Sequence, residues 1–393
     1  MDNVKSRVEK DGLVVELSGH IDSSNAEAAE AAINETRAKE KAGDFTIDAQ
    51  NLEYISSAGL RVILRLSQVE PTLKLINVSS AVYEVLEMTG FSEMIPVEKA
   101  YRVLSVDGCE VIGQGANGKV YRIDADTIIK VYNNPDSLPD IKRERELARK
   151  AFVKGIPTAI PYDVVKVGNG YGSVFELLSA KSFSKLLMED PGKIDEIVKM
   201  FVDLLKKIHN TNVEPGEMPD KRETYIDYAH FLADYLPKDQ ADKLTALITA
   251  VPDVHKMIHG DYHTKNVMLQ KGEVLLIDMD TLSYGHPIFE FASMYLGFVG
   301  FGEADPGQAG QFLGIPYDLA KEFFHKCMAE YLGTTDPKKI QEVVDKSRIL
   351  GYARMLRRSI RRYGLKSAEG KPSIDLCKAK LAELLPQYDT LTF

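Results

Sequence analysis

The sequence predicts two domains of different build. Residues 1–100 read as an α/β domain, and residues 101–393 as an α+β domain in two lobes, β-rich to about residue 178 and helical from about 179. Three observations carry this. At 393 residues the chain is longer than one ordinary domain. Short apolar strands alternate with amphipathic helices over the first hundred residues, whereas strands and then helices run in blocks afterwards. The charge also divides there: residues 1–100 hold 10 Lys+Arg against 17 Asp+Glu, a balance of −7, which leaves −2 of the total −9 for the rest.

Hydrophobic residues at 44% and charged residues at 27% are ordinary for a globular protein in water. The net charge of −9 argues against a general nucleic-acid binder. Cys109, Cys327 and Cys377 are too few and too scattered for a disulfide framework or a zinc site, so a cytoplasmic setting is expected. The start, Met1-Asp2-Asn3-Val4-Lys5, lacks the layout of a signal peptide. No apolar run approaches the roughly 20 residues that span a bilayer, so no membrane is expected as partner. Residues 291–302 come nearest and are glycine-broken.

In the first domain Leu13–Leu17 reads as a strand and Gly19-His20-Ile21-Asp22 as the turn out of it. Ser24-Asn25 then caps a helix running to about Lys41. Phe45–Asp48 alternates as a second strand, Leu60, Ile63 and Leu64 begin a helical pattern, Leu73–Asn77 is a third strand, and Ala81–Met88 a further amphipathic helix. Residues Pro96–Asp107 form the boundary. The turn at Gly19–Asp22, Ser56-Ser57-Ala58-Gly59-Leu60 and the ending Glu84–Phe91 together resemble the STAS domain of anti-sigma-factor antagonists. That resemblance implies a regulatory or docking domain with a protein partner, switched by phosphorylation of a serine at a helix start. It places Ser57 at the phosphoacceptor position and Ser56 where the family usually has aspartate. A serine at a helix N-terminus is also an ordinary cap, and a phosphate there would meet free N–H groups, so both readings of Ser56 and Ser57 stand.

The second domain opens with the strand Glu110-Val111-Ile112 and then Gly113-Gln114-Gly115-Ala116-Asn117-Gly118-Lys119-Val120-Tyr121. Glycines at 113, 115 and 118 let backbone N–H groups approach phosphate oxygens. The motif leads into another strand rather than a helix, which favours a hairpin folded over ATP phosphates and disfavours a dinucleotide site. Thr127–Tyr132 is a strand with one lysine, Lys130, among apolar neighbours. On the helix Ile141–Lys154, Glu144 shares the apolar face and is chosen as that lysine's partner, with Glu146 as the alternative. Val174–Leu178 is an apolar strand, and similarity to kinases implies that it is the hinge, where the backbone at Glu176 and Leu178 is expected to read the adenine edge. Helices follow over Ile194–His209 and Tyr225–Ala250.

The residues His259-Gly260-Asp261-Tyr262-His263-Thr264-Lys265-Asn266, with Asp278 twelve residues beyond Asn266, make the strongest signal in the chain. Phosphoryl transfer needs a carboxylate beside the attacking hydroxyl and oxygen ligands for the metal that bridges the phosphates. His-Gly-Asp-x-His-x-x-Asn resembles the catalytic loop of the aminoglycoside phosphotransferases and choline kinases, relatives of the protein kinases. The resemblance implies a protein-kinase-like bilobal fold and an ATP- and Mg²⁺-dependent phosphotransferase with an alcohol acceptor. It gives Asp261 the acceptor hydroxyl, Asn266 and Asp278 the Mg²⁺, Lys130 the α/β-phosphates, and His259 the bracing of the loop. Glu290 stands where these families have an aspartate and is expected to stabilise that loop. No Asp-Phe-Gly, Ala-Pro-Glu or activation segment is present, which sets eukaryotic-type protein kinases aside.

Arg354, Arg357, Arg358, Arg361 and Arg362 are placed on one helical face, as an anion clamp or, as the blander expectation, paired with the protein's own carboxylates. The acceptor is expected to be a small molecule of unidentified structure. The other readings are a signalling protein whose kinase domain phosphorylates protein, the STAS serine included, and a nucleotide sensor without catalysis.

Overall fold

The computed structural model describes residues 3–9, 12–39, 43–115 and 117–393. The expected helix end near Lys41, and Ala116 of the glycine-rich turn, lie outside them. Internal contacts divide the chain into two units, Met1–Asp107 with Val164–Tyr171, and Gly108–Asp163 with Gly172–Phe393.

The first unit is a five-stranded sheet in the order β1 to β5 with helices in the crossovers. Its elements run β1 (Val4–Glu9), β2 (Gly12–Ile21), α1 (Ala26–Lys39), β3 (Asp44–Ile55), α2 (Ser57–Val69), β4 (Lys74–Val78), α3 (Ser80–Met88), α4 (Phe91–Met94) and β5 (Val97–Lys99). β1 pairs antiparallel with β2, and β2 through β5 are parallel. Parallel strands covered by helices are apolar throughout, and β2 and β3 bury Leu13, Val15, Leu17, Phe45 and Ile47. Each such side chain contributes roughly 1.5–3 kcal/mol on leaving water. The sequence pattern missed β1 and β5. β1 is an edge strand whose residues 5–9 are exposed, and β5 spans three residues inside the stretch expected to be linker.

The second unit begins with a sheet whose strands run in the order β6-β7-β8-β10. It is formed by β6 (Glu110–Gln114), β7 (Gly118–Arg122), β8 (Thr127–Tyr132) and, after α5 (Leu138–Val153) and the strand β9 (Asp163–Val167) grouped almost wholly with the first unit, by β10 (Gly170–Glu176) from Gly172 onward. The chain then turns helical: β11 (Lys181–Ser182), α6 (Phe183–Glu189), α7 (Ile194–Asn210), α8 (Lys221–Leu232) and α9 (Lys238–Thr249). Short strands β12 (Met257–Ile258), β13 (Val267–Gln270), β14 (Glu273–Leu276) and β15 (Ser283–Tyr284) frame the loop 259–266. α10 (Ile288–Tyr295), a π-helical turn Leu296–Gly300, α11 (Phe301–Ala304), α12 (Pro306–Leu313), α13 (Tyr317–Leu332), α14 (Pro337–Tyr363) and α15 (Lys371–Leu384) complete it. α7 turns Ile197, Phe201, Val202, Leu205 and Ile208 into the core, the spacing of one helical face. This is the bilobal, protein-kinase-like arrangement that the sequence predicts. No helix among the described residues is long and apolar enough to cross a membrane, and the apolar stretch 291–302 is largely core.

Candidate active site

A cleft of about 1160 Å³ in the second unit collects the chemistry-bearing residues. Its roof is the β6–β7 hairpin. Gly113 pairs with Val120, and the Gly115 N–H donates to the carbonyl of Gly118 at 2.9 Å. Gly118 cannot carry a side chain, because a Cβ there would collide with the carbonyl oxygen of Val131 on β8. The hairpin therefore lies close on its neighbour, and Gly113, Gly115 and Gly118 all line the cleft.

β8 delivers Lys130 and α5 delivers Glu144, both largely buried. The Lys130 ammonium donates to Glu144 at 3.0 Å (Oε1) and 3.2 Å (Oε2), and to Asp278 Oδ1 at 2.9 Å. Burial alone would lower that ammonium's pKa; the charges of Asp278 and Glu144 outweigh it and hold it well above the ordinary lysine value. The Tyr132 hydroxyl donates to Glu144 Oε2 at 2.7 Å and lies 3.2 Å from Ser173 Oγ, which fixes the carboxylate. Glu146 points elsewhere, to Arg149 and Lys150 on the outer face of α5. The hinge strand ends at Glu176. The Leu177 N–H donates to the Asp126 carbonyl at 2.7 Å, and Glu176 through Leu178 line the cleft.

The loop between β12 and β13 is held by buried groups. Glu290, fully buried on α10, accepts from the N–H groups of His259 (2.6 Å) and Gly260 (2.9 Å). The Ser293 hydroxyl donates to the Gly260 carbonyl (2.7 Å), Arg354 donates to that carbonyl (3.2 Å) and to Ser293 (2.9 Å), and Thr281 donates to the His259 carbonyl (2.7 Å). Gly260 has φ +83, and a Cβ there would sit 2.7 Å from both Lys221 Nζ and the Thr281 carbonyl. His259 accepts the Asp261 N–H at Nδ1 (3.3 Å) and places Nε2 3.3 Å from the Ile277 carbonyl, so Nε2 is a nitrogen that carries a proton.

Asp261 faces the cleft beside His263, whose Nε2 lies 3.5 Å from its carboxylate. Burial would raise this carboxyl; the bond and charge of His263, with Arg354 and His259, reverse that and hold it at about 2. Asn266 donates its amide to the Asp261 carbonyl at 3.1 Å, which leaves its amide oxygen as the remaining acceptor. Asp278 adopts φ +64, a conformation that costs a non-glycine residue roughly 1–3 kcal/mol. Lys130, Glu144, Asp261, Asn266 and Asp278 thus all line one cleft.

Several site residues escaped the sequence reading. Asp280 lines the same cleft and accepts from Asn117 Nδ2 at 3.0 Å; burial, then the charge of Asp278, push its carboxyl up to about 7 against the pull of Lys130. Its signal was present, an aspartate two residues after Asp278. Tyr132, Ser173 and buried Lys221 had none. Desolvation, helped by Arg354, lowers the Lys221 ammonium to about 8.

The oxygen donors fit a divalent cation. Among the described residues no three His, Cys, Asp or Glu side chains form a ready-made metal cage. Magnesium, however, is typically held by one or two carboxylates with substrate phosphates completing the shell. An amide oxygen on Asn266 and carboxylates on Asp278 and Asp280, the last destabilised by its acidic neighbours, are that kind of incomplete set.

The arginine stripe does not stay on one face. Arg354 braces the loop, Arg357 turns away to lie over Tyr228 (4.4 Å) and Phe231 (5.7 Å), and Arg358 and Arg362 line the cleft. The expected pairing with the protein's own carboxylates is not found: among the described residues no carboxylate forms an ion pair with any of these arginines, and the two acids of α14, Glu342 and Asp345, pair with Lys346 and Arg348 instead.

In the first unit the two serines separate. The Ser56 hydroxyl caps α2, accepting from the N–H groups of Ala58 (3.1 Å) and Gly59 (3.5 Å), while Ser57 is the first helical residue and is exposed.

Comparison with known proteins follows these divisions. Residues 108–321 match the phosphotransferase enzyme family, and residues 3–103 match the STAS domain. The provisionally named anti-sigma factor antagonist BtrV of Bordetella bronchiseptica is 40% identical over 94 residues, 22% of this chain and 78% of that protein. Among solved structures, the ADP-bound aminoglycoside phosphotransferase APH(2'')-Ib is similar at 14% identity, covering 70% of this chain and 91% of its own, with a TM-score of 0.47. A choline/ethanolamine kinase family protein from Mesorhizobium loti is similar at 16% identity, covering 70% and 87%, with a TM-score of 0.46.

Proposed function

The chain belongs to the phosphotransferase enzyme family and carries a STAS domain, and on that premise we propose that it transfers the γ-phosphoryl group of ATP to a hydroxyl of a small-molecule acceptor. The glycine hairpin at Gly113, Gly115 and Gly118 covers the phosphates, and the Glu176–Leu178 backbone reads the adenine edge. Lys130, oriented by Glu144, binds the α/β-phosphates. Asn266 and Asp278 hold Mg²⁺, with Asp280 as a further donor; such an ion supplies neutralisation of phosphate charge. Asp261 orients the acceptor hydroxyl and accepts its proton, and His259 and Glu290 keep the loop in place. Because the transition state is loose, the protein's work is positioning and charge neutralisation.

The observation that supports this reading most directly is the position of Lys130, bonded at once to Glu144 and to Asp278. A lysine between two carboxylates binds nucleotide phosphates once one of them, Asp278, is turned to a cation.

The STAS domain is the regulatory or docking part, with a protein partner. Ser57 is its phosphoacceptor and Ser56 the helix cap, a division supported by the exposure of Ser57 and the capping bonds of Ser56. The experiment is ADP release by the full chain with Mg-ATP across a panel of hydroxyl acceptors, with ³¹P NMR of the product. A phosphoester formed with one acceptor is the expected result. No release with any acceptor, together with label from ATP appearing on Ser57, would replace it with the protein-phosphorylating reading.

A further inference from the structure

The cleft continues beyond the catalytic loop to a wall made by α11, α12, the C-terminal half of α14 and the start of α15. Its own elements contribute Arg358 and Arg362 against a single carboxylate, Glu369, and the catalytic loop adds Lys265 together with Asp261, whose charge acts on Arg358. None of the three cations forms an ion pair among the described residues, although the N-terminal half of the same helix pairs Lys346 with Glu342 (2.6 Å) and Arg348 with Asp345 (2.7 Å). Attraction to the helix C-terminus accounts for basic residues in the last turn, but Arg358 lies a turn earlier. Aromatic faces keep the guanidinia flat, Arg358 over Phe301 at 5.6 Å and Arg362 over Tyr363 at 5.2 Å. Lys265 is tied to the carbonyl of Gln311 at 3.2 Å, and burial lowers its ammonium.

We propose that this wall selects an anionic acceptor, a hydroxyl compound bearing a phosphate or carboxylate that Arg358, Arg362 and Lys265 bind while its hydroxyl reaches Asp261. The inference rests on the phosphotransferase reading and narrows it. Planar guanidinia match carboxylate and phosphate oxygens in paired bonds. A polycationic aminoglycoside or a quaternary ammonium would meet like charge on the same wall.

The test is calorimetric titration of the full chain saturated with Mg-AMP-PNP, using ribose 5-phosphate, gluconate, ribose and kanamycin as probes. The expected result is that ribose 5-phosphate, gluconate or both bind at least tenfold more tightly than ribose and kanamycin; whichever binds identifies phosphate or carboxylate as the group recognised. The Arg358→Gln/Arg362→Gln double variant is expected to lose about tenfold or more of that affinity, the scale of bonds to charged groups, with Mg-AMP-PNP affinity within twofold of wild type. Equal or tighter binding of ribose or kanamycin, no binding of either anion, or unchanged anion affinity in the double variant overturns the proposal. Failure of Mg-AMP-PNP to bind the wild type would instead remove the phosphotransferase reading beneath it.

Discussion

At the hairpin end of the cleft Lys130 is locked between Glu144 and Asp278, whereas at the α14 end Arg358, Arg362 and Lys265 form no ion pair with a carboxylate among the described residues. The first arrangement is assembled before any ligand arrives. Its charges need one another, because an unpaired buried charge costs several kcal/mol. The second leaves its compensation to the acceptor. The difference teaches where tolerance lies: variants at the paired end disturb the protein's own electrostatics as well as its ligand, and variants at the open end touch only the acceptor.

Lys130→Ala should break this contrast most visibly. It leaves Glu144 and Asp278 facing each other without a cation, and truncating one partner of a desolvated pair costs about 2–5 kcal/mol. Steady-state kinetics should show kcat/KM for ATP down by about two to three orders of magnitude. A fall below tenfold would mean the pair does not organise the nucleotide end.

Glu290→Gln tests whether the loop is held by charge rather than shape. The amide keeps one acceptor for His259 and Gly260 but loses charge-assisted bonds, a loss of roughly 1.5–3 kcal/mol. Thermal unfolding should shift down by several degrees and kcat should fall with it. An unchanged melting temperature would remove Glu290 as a brace.

The smallest expected effect separates the serines of the STAS domain. Ser56→Ala should destabilise that unit by about 1 kcal/mol through loss of the α2 cap. Ser57→Ala should stay within about 0.5 kcal/mol, as exposed positions do. Urea denaturation reads both, and a reversed order would reassign the cap.

The same contrast explains what could be read in advance. The residues of the paired end follow spacing rules: Asp261 and Asn266 lie five apart in one loop, Asp278 follows a short hairpin, and Glu144 declares itself by sharing the apolar face of α5. Asp280 was overlooked although it follows Asp278 by two residues, because its burial there becomes visible only in the fold. The α14 wall obeys no spacing rule. It joins Lys265, Phe301 and Arg358 from separate elements, and the arginine stripe looked uniform until the packing of Arg357 onto Tyr228 split it. Edge strands β1 and β5 were lost for a similar reason, one exposed and the other too short to show a period.

The central claim is that nucleotide binding and phosphoryl transfer reside in one cleft but on separable residues. Asp261→Asn tests it most directly, with Mg-ATP affinity and kcat measured on the same preparation. The account predicts affinity within twofold of wild type and kcat lower by about 10³, within the range for a positioned general base. Retained turnover, or affinity and turnover falling together, would contradict it.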